Sequence, residues 1–96
     1  MKFDELKTNA TKLTADLRSL SNHKLYVCAN AYAAEANYPD RIIVEGIKNL
    51  HTTGRFTAAD RSLINTKLLD FCVKHELKIK ILDADSGMHN AIITCN

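Results

Sequence analysis

Phe3, Leu6, Ala10, Leu13, Leu17 and Leu20 recur at alternating spacings of three and four. That rhythm lays one narrow apolar stripe along a helix from about Asp4 to Leu20, with threonines and charged residues on the other faces. Such a helix has to bury its stripe against its own domain or against a second copy of itself. The run is well short of three or four heptads, so an internal partner is expected. A chain of 96 residues has room for one core, which places residues 1–96 in a single compact domain.

After Ser21 and Asn22, which can cap a new helix, residues 24–37 are rich in alanine, and Leu25, Cys28, Tyr32 and Ala36 share a helical face. Leu25-Tyr26-Val27-Cys28 also reads as a short strand, but alanine's helix preference selects helix. Pro39 suits the first turn of a third helix, with Ile43, Ile47 and Leu50 as its face and Gly54 closing it. Gly46 inside it costs about 1 kcal/mol relative to alanine, which a close approach to Ala29, Ala33 or Ala36 would offset. Thr57-Ala58-Ala59-Asp60 has the form of a capping box. Ile64, Leu68, Phe71, Cys72 and His75 then run down one side of a fourth helix. At Leu77 the period changes: Leu77, Ile79 and Ile81 alternate with Lys78 and Lys80, the pattern of a half-buried strand. Asp83-Ala84-Asp85-Ser86-Gly87 reads as a turn and Asn90 to Cys95 as a returning strand. The expected class is α+β, with about four helices followed by a C-terminal β-hairpin packed on them. A hairpin alone is marginal in water, so its apolar face has to rest on the helices or join another sheet.

Apolar residues at 46% and charged residues at 25% are ordinary globular values and argue against disorder. No apolar run has the length of a signal peptide's core or a membrane span, so no membrane partner is expected. Three cysteines, Cys28, Cys72 and Cys95, each in an apolar stretch, look like free thiols of a reducing compartment and point to the cytoplasm. The net charge of +2 is too small to imply a polyanionic partner by itself.

The polar residues offer several chemistries, none of them reinforced. Asp83-x-Asp85 is the spacing with which paired carboxylates hold a divalent cation, but Gly87 comes one position early for a calcium loop and the terminal glutamate is missing. Cys72-x-x-His75 sets a sulfur and an imidazole one helical turn apart. A zinc site would need two more ligands from His51, His89, Cys28 or Cys95, and none of these forms a second close pair. As nucleophile and base, Cys72 and His75 lack an orienting group and an oxyanion site. No phosphate-binding glycine loop is present. The chain is therefore read as non-enzymatic, with no metal and no cofactor expected, and a small enzyme whose site residues lie far apart in sequence is kept as the least favoured alternative.

Two binding readings remain. His51 to Phe56 lead into the N-terminus of the fourth helix, where Arg55 and Arg61 flank free backbone N–H groups suited to an anion. Lys74, Lys78 and Lys80 add positive charge, so a nucleic-acid or phosphate module is the alternative, with Asp60 opposing it. The preferred reading is a small protein-interaction domain, a stand-alone regulator or inhibitor of the kind that phages and mobile elements encode. Tyr26 and Tyr38 are its candidate anchors, because tyrosine joins a large apolar area to a hydroxyl. The partner is another protein of unspecified identity. Homodimerisation has two routes, the hairpin edge and the Phe3–Leu20 helix.

Overall fold

The computed structural model describes residues 2–20, 25–49, 58–83 and 89–95. Helix α1 (Phe3–Arg18) is followed by strands β1 (Leu25–Tyr32) and β2 (Arg41–Asn49), then helix α2 (Ala58–His75) and strands β3 (Leu77–Asp83) and β4 (His89–Cys95). The strands form one antiparallel sheet in the order β1-β2-β4-β3. β2 and β3 each run antiparallel to β4, which lies between them, and are therefore parallel to each other. With α2 connecting them, they make a split βαβ unit.

The chain is α+β, but not four helices with a trailing hairpin. Two of the expected helices, over 24–37 and after Pro39, are the strands β1 and β2. In β1 the side chains alternate: Val27 and Ala29 are buried, whereas Cys28 and Asn30 are more accessible. β2 repeats the alternation with Ile42 and Val44 buried and Ile43 and Glu45 outward. Alanine's helical preference is worth at most about 0.7 kcal/mol per residue over ordinary residues. Burying Val27, Ile42 and Val44 in a sheet is worth roughly 1.5–3 kcal/mol each, which overrides it. Pro39 belongs to the β1–β2 connection and starts no helix. Gly46 sits at a β-bulge, where Gly46 and Ile47 of β2 face the single residue Val27 of β1.

The remaining sequence patterns match the structure more closely. The apolar stripe of α1 packs into the core through Leu6, Ala10, Leu13 and Leu17, with Leu20 beside it. It is therefore internal to the domain. α2 contributes Ile64, Leu68 and Cys72 to the same core, and Phe71 packs against it. The hairpin β3–β4 is present, but it is no appendage: β4 pairs with β2 as well as with β3, so the hairpin completes the sheet. Both helices lie against the face that carries Val27, Ala29, Ile42, Val44, Ala91 and Ile93. The expected closing residue Gly54 and the cap Thr57 lie outside the described residues, though α2 does begin at Ala58.

One residue joins α2 to β3. Glu76 has φ 55°, in the left-handed region, and its N–H donates to the Val73 carbonyl at 3.4 Å. This is the position at which helices commonly end on glycine. Ending there lets the chain leave α2 and enter β3 without a loop.

Candidate functional site: the bare face of the sheet

With both helices on one side, the other face of the sheet is left to the alternate residues of each strand. The register sets Tyr32, Arg41, Thr94 and Lys78 in one row across the four strands, and Asn30, Ile43, Ile92 and Lys80 in the next. Cys28 and Glu45 begin a third row. Ile43 and Ile92 are neighbours on the two central strands and are only partly buried. Lys78, Lys80, Asn30 and Glu45 around them are exposed. The face is thus apolar at its centre and polar at its rim.

One corner of this face is built around Arg41. Its guanidinium carbon lies 5.5 Å from the centre of the Tyr32 ring and 5.0 Å from that of Tyr38. Both distances are within cation–π range. The same side chain donates to the carbonyls of Ala33 at 3.4 Å and Pro39 at 3.3 Å. The loop it holds is tight. Glu35 and Tyr38 exchange backbone hydrogen bonds of 2.9 and 2.6 Å around Ala36-Asn37, and the Ala34 N–H donates to the Asp40 carboxylate at 2.6 Å. Tyr38 is consequently held in place while 62% exposed. The Tyr32 hydroxyl donates weakly to Glu45 Oε1 at 3.4 Å.

Tyr38 is the one of the two expected tyrosine anchors whose surroundings are described. Tyr26 pairs with Lys48 in the register, and its side chain lies outside the described residues. Of the expected anion-binding residues, those described are divided between α2 and β3. Lys78 and Lys80 share the bare face. Lys74 is on α2, and Arg61 is about 20 Å away along that helix at 1.5 Å per residue. Arg55 lies outside the described residues. Asp60, in the first turn of α2 and 7% exposed, brings a negative charge to that end of the helix, which opposes an anion there.

Of the Cys and Asp motifs, only Cys72-x-x-His75 lies wholly within the described residues. Cys72 is 4% exposed, and burial pushes its thiol up to about 11, whereas a nucleophile or metal ligand needs it lowered. His75 lies with its ring 4.6 Å from that of Phe71. Asp83 ends β3, and Asp85 lies outside the described residues, as does His51. Among the described residues, no three His, Cys, Asp or Glu side chains gather as a metal would require. No helix among them is long and apolar enough to cross a membrane.

Reading the sequence alone misses Tyr32, Arg41, Ile43, Ile92 and Thr94 as members of one surface. The signal was the β-branched run Ile42-Ile43-Val44, which favours a strand and which a helical reading of 39–54 overrode. No family model, curated protein or solved structure matches this chain.

Proposed function

We propose that the chain is a non-catalytic protein-interaction domain, a stand-alone regulator or inhibitor, and that the bare face of its sheet is the contact surface. The observation that supports this most is the Ile43–Ile92 pair at the centre of that face, ringed by Tyr32, Arg41, Lys78, Lys80, Asn30 and Glu45. An apolar centre inside a polar rim is the anatomy of a protein interface. Tyr38, held by Arg41 beside it, supplies an aromatic anchor of the kind that dominates such contacts. Its fixed position lowers the entropy lost on binding.

Lys78, Lys80 and Arg41 on the same face favour a nucleic-acid reading. A platform for bases, however, needs aromatic rings on the central strands. Those positions here hold isoleucines, and Glu45 adds negative charge.

The test is to capture partners with the tagged protein, identify them, and repeat the capture with Ile43→Lys and with Tyr38→Ala. Both substitutions are at accessible positions, and circular dichroism checks that each variant is folded. The reading expects Ile43→Lys to abolish capture and Tyr38→Ala to weaken it by about 1–2 kcal/mol or more. Undiminished capture by both variants defeats the face as the contact surface. Retention on a polyanion column that falls steeply with salt and is lost in Lys78→Glu/Lys80→Glu replaces the protein reading with the nucleic-acid one.

A further inference from the structure

The outer edge of β3 offers a second, more specific contact. Which of its backbone groups face outward follows from the opposite edge. Ala29 in β1 directs its N–H and C=O away from β2, toward Thr14 of α1. In an antiparallel sheet successive residues direct these groups to opposite sides. Carrying the alternation through the pairs Asn30–Ile43, Val44–Ala91 and Ile92–Lys80 leaves the N–H and C=O of Ile79 and Ile81 pointing outward from β3. Among the described residues, no hydrogen bond reaches them.

Beside this edge, on the helix side, lies a groove of about 640 Å³ whose lining joins the apolar Leu69, Val73, Leu77 and Ile79 to the polar His75 and Glu76. Val73 is 80% and Leu69 47% exposed, and at a spacing of four they lie one helical turn apart on the side of α2 that borders the groove. On the other side of the edge stand the exposed Lys78 and Lys80. A strand added here would alternate in the same way. Every second side chain would meet Leu69, Val73 and the groove, and those between would lie beside the two lysines.

We infer that the β3 edge binds an extended segment of a partner protein in which apolar residues alternate with aspartate or glutamate. This rests on the protein-binding reading and adds the partner's chemistry, with main-chain pairing to Ile79 and Ile81 supplying affinity and alternate side chains supplying specificity. Charge complementarity selects this occupant over a second copy of the chain. Pairing β3 with itself over its full length sets Lys80 against Lys80, a shift centred on Ile79 sets Lys78 against Lys80 twice, and a shift centred on Ile81 leaves the two Lys80 residues diagonal neighbours; like charges so placed disfavour the pairing, most of all where they are directly opposed.

The test uses the ¹⁵N-labelled full chain titrated with a short blocked peptide alternating glutamate and valine, and with its lysine–valine counterpart. The expected result is slowed exchange and shifted amide signals at Ile79 and Ile81, with the lysine peptide binding about tenfold more weakly. Lys78→Glu/Lys80→Glu should invert that preference. Ile79→Pro, which removes an outward N–H but no bond to β4, should weaken binding of the glutamate peptide at least as much. If that variant does not fold, the charge inversion still decides. Equal affinity for the two peptides, or no binding of either, overturns the inference while leaving the face untouched, since the face is tested by Ile43→Lys. Shifts centred on Ile43 and Ile92 move the ligand to the face and refute the edge. Protection of Ile79 and Ile81 in a concentration-dependent dimer without peptide makes a second copy the occupant, and the inference fails.

Discussion

Along the β1 edge, α1 places polar side chains on the strand backbone, whereas along the β3 edge α2 presents Leu69 and Val73 beside backbone groups that no described residue reaches. The Thr14 hydroxyl accepts from the Ala29 N–H at 2.9 Å and lies 3.0 Å from the Ala29 carbonyl and 2.9 Å from that of Ala10, its one proton serving either carbonyl. Arg18 donates from Nε to the Val27 carbonyl at 2.8 Å and from Nη2 to Cys28 Sγ at 3.1 Å. The two helices have the same task, covering half of one sheet face, and differ in the residues bordering their apolar stripes. Threonine and arginine at that border close an edge, and leucine and valine leave it available. Whether an edge strand is covered is thus decided by residues on a neighbouring helix as well as by the charges that the strand itself carries.

The largest effect expected from this contrast is in stability. Leu17→Ala, in the fully buried stripe of α1, should cost about 2–5 kcal/mol, as large-to-small core changes do. Leu69→Ala and Val73→Ala on α2 should each change stability by less than about 0.5 kcal/mol. Urea denaturation of the three variants measures this, and a large loss at Val73 would mean that the α2 flank is closed after all.

The next effect concerns the interior beneath α2. Burial raises the Cys72 thiol from 9.0 to about 11, so the folded state favours the protonated form. The associated stability is fully present below about pH 9 and is lost as pH rises through 11. At about 1.4 kcal/mol per pKa unit it amounts to at most roughly 2–3 kcal/mol. Denaturation midpoints measured from pH 8 to 11 should fall in the parent and fall less in Cys72→Val. Equal slopes in the two proteins would show that Cys72 is not sealed from water.

At the β1 edge, Thr14→Val keeps the side-chain shape and removes the hydroxyl. It should cost about 1–2 kcal/mol, because the N–H and C=O of Ala29 lose their partner. Amide exchange at Ala29 should quicken in that variant while exchange at Ile79 and Ile81 does not change. An Ala29 amide as slow as in the parent would mean that another group closes this edge.

The smallest effect lies at the junction of α2 and β3. Glu76→Gly relieves a left-handed backbone at a non-glycine residue, and part of that gain is offset by glycine's greater freedom in the unfolded chain. A net stabilisation of about 0.5 kcal/mol is expected from thermal unfolding. A clear destabilisation would show that the Glu76 side chain contributes more than its backbone costs.

Much of the framework was legible in the residues. The three-and-four spacing from Phe3 to Leu20 marked α1 and its buried face. The line Ile64, Leu68, Cys72 marked α2, and the change of period at Leu77 marked β3. The segments misread, β1 and β2, are those in which two periods fit the same letters. Val27, Ala29 and Ala31 alternate with Cys28, Asn30 and Tyr32, but Leu25, Cys28, Tyr32 and Ala36 also fall on a helical face. Tyr38 was visible as a candidate anchor, but the arginine that holds it was not, because Arg41 was read as part of a helix. The surface around Ile43 and Ile92 could not be assembled before β2 and β4 were known to be neighbours.

The sequence by itself determined the elements whose apolar pattern admits only one period: α1, α2 and the β3–β4 hairpin. Only the tertiary structure decided that residues 25–32 and 41–49 are strands, that β4 inserts between β2 and β3, and hence which face is bare and which edge is open. The reason lies in how the two kinds of element satisfy their backbone. A helix closes its hydrogen bonds within a few residues, so its pattern is complete in its own segment. A strand closes them on another strand, here Val44 on Ala91 across nearly half the chain, so its existence and its exposed side depend on residues that no local window contains.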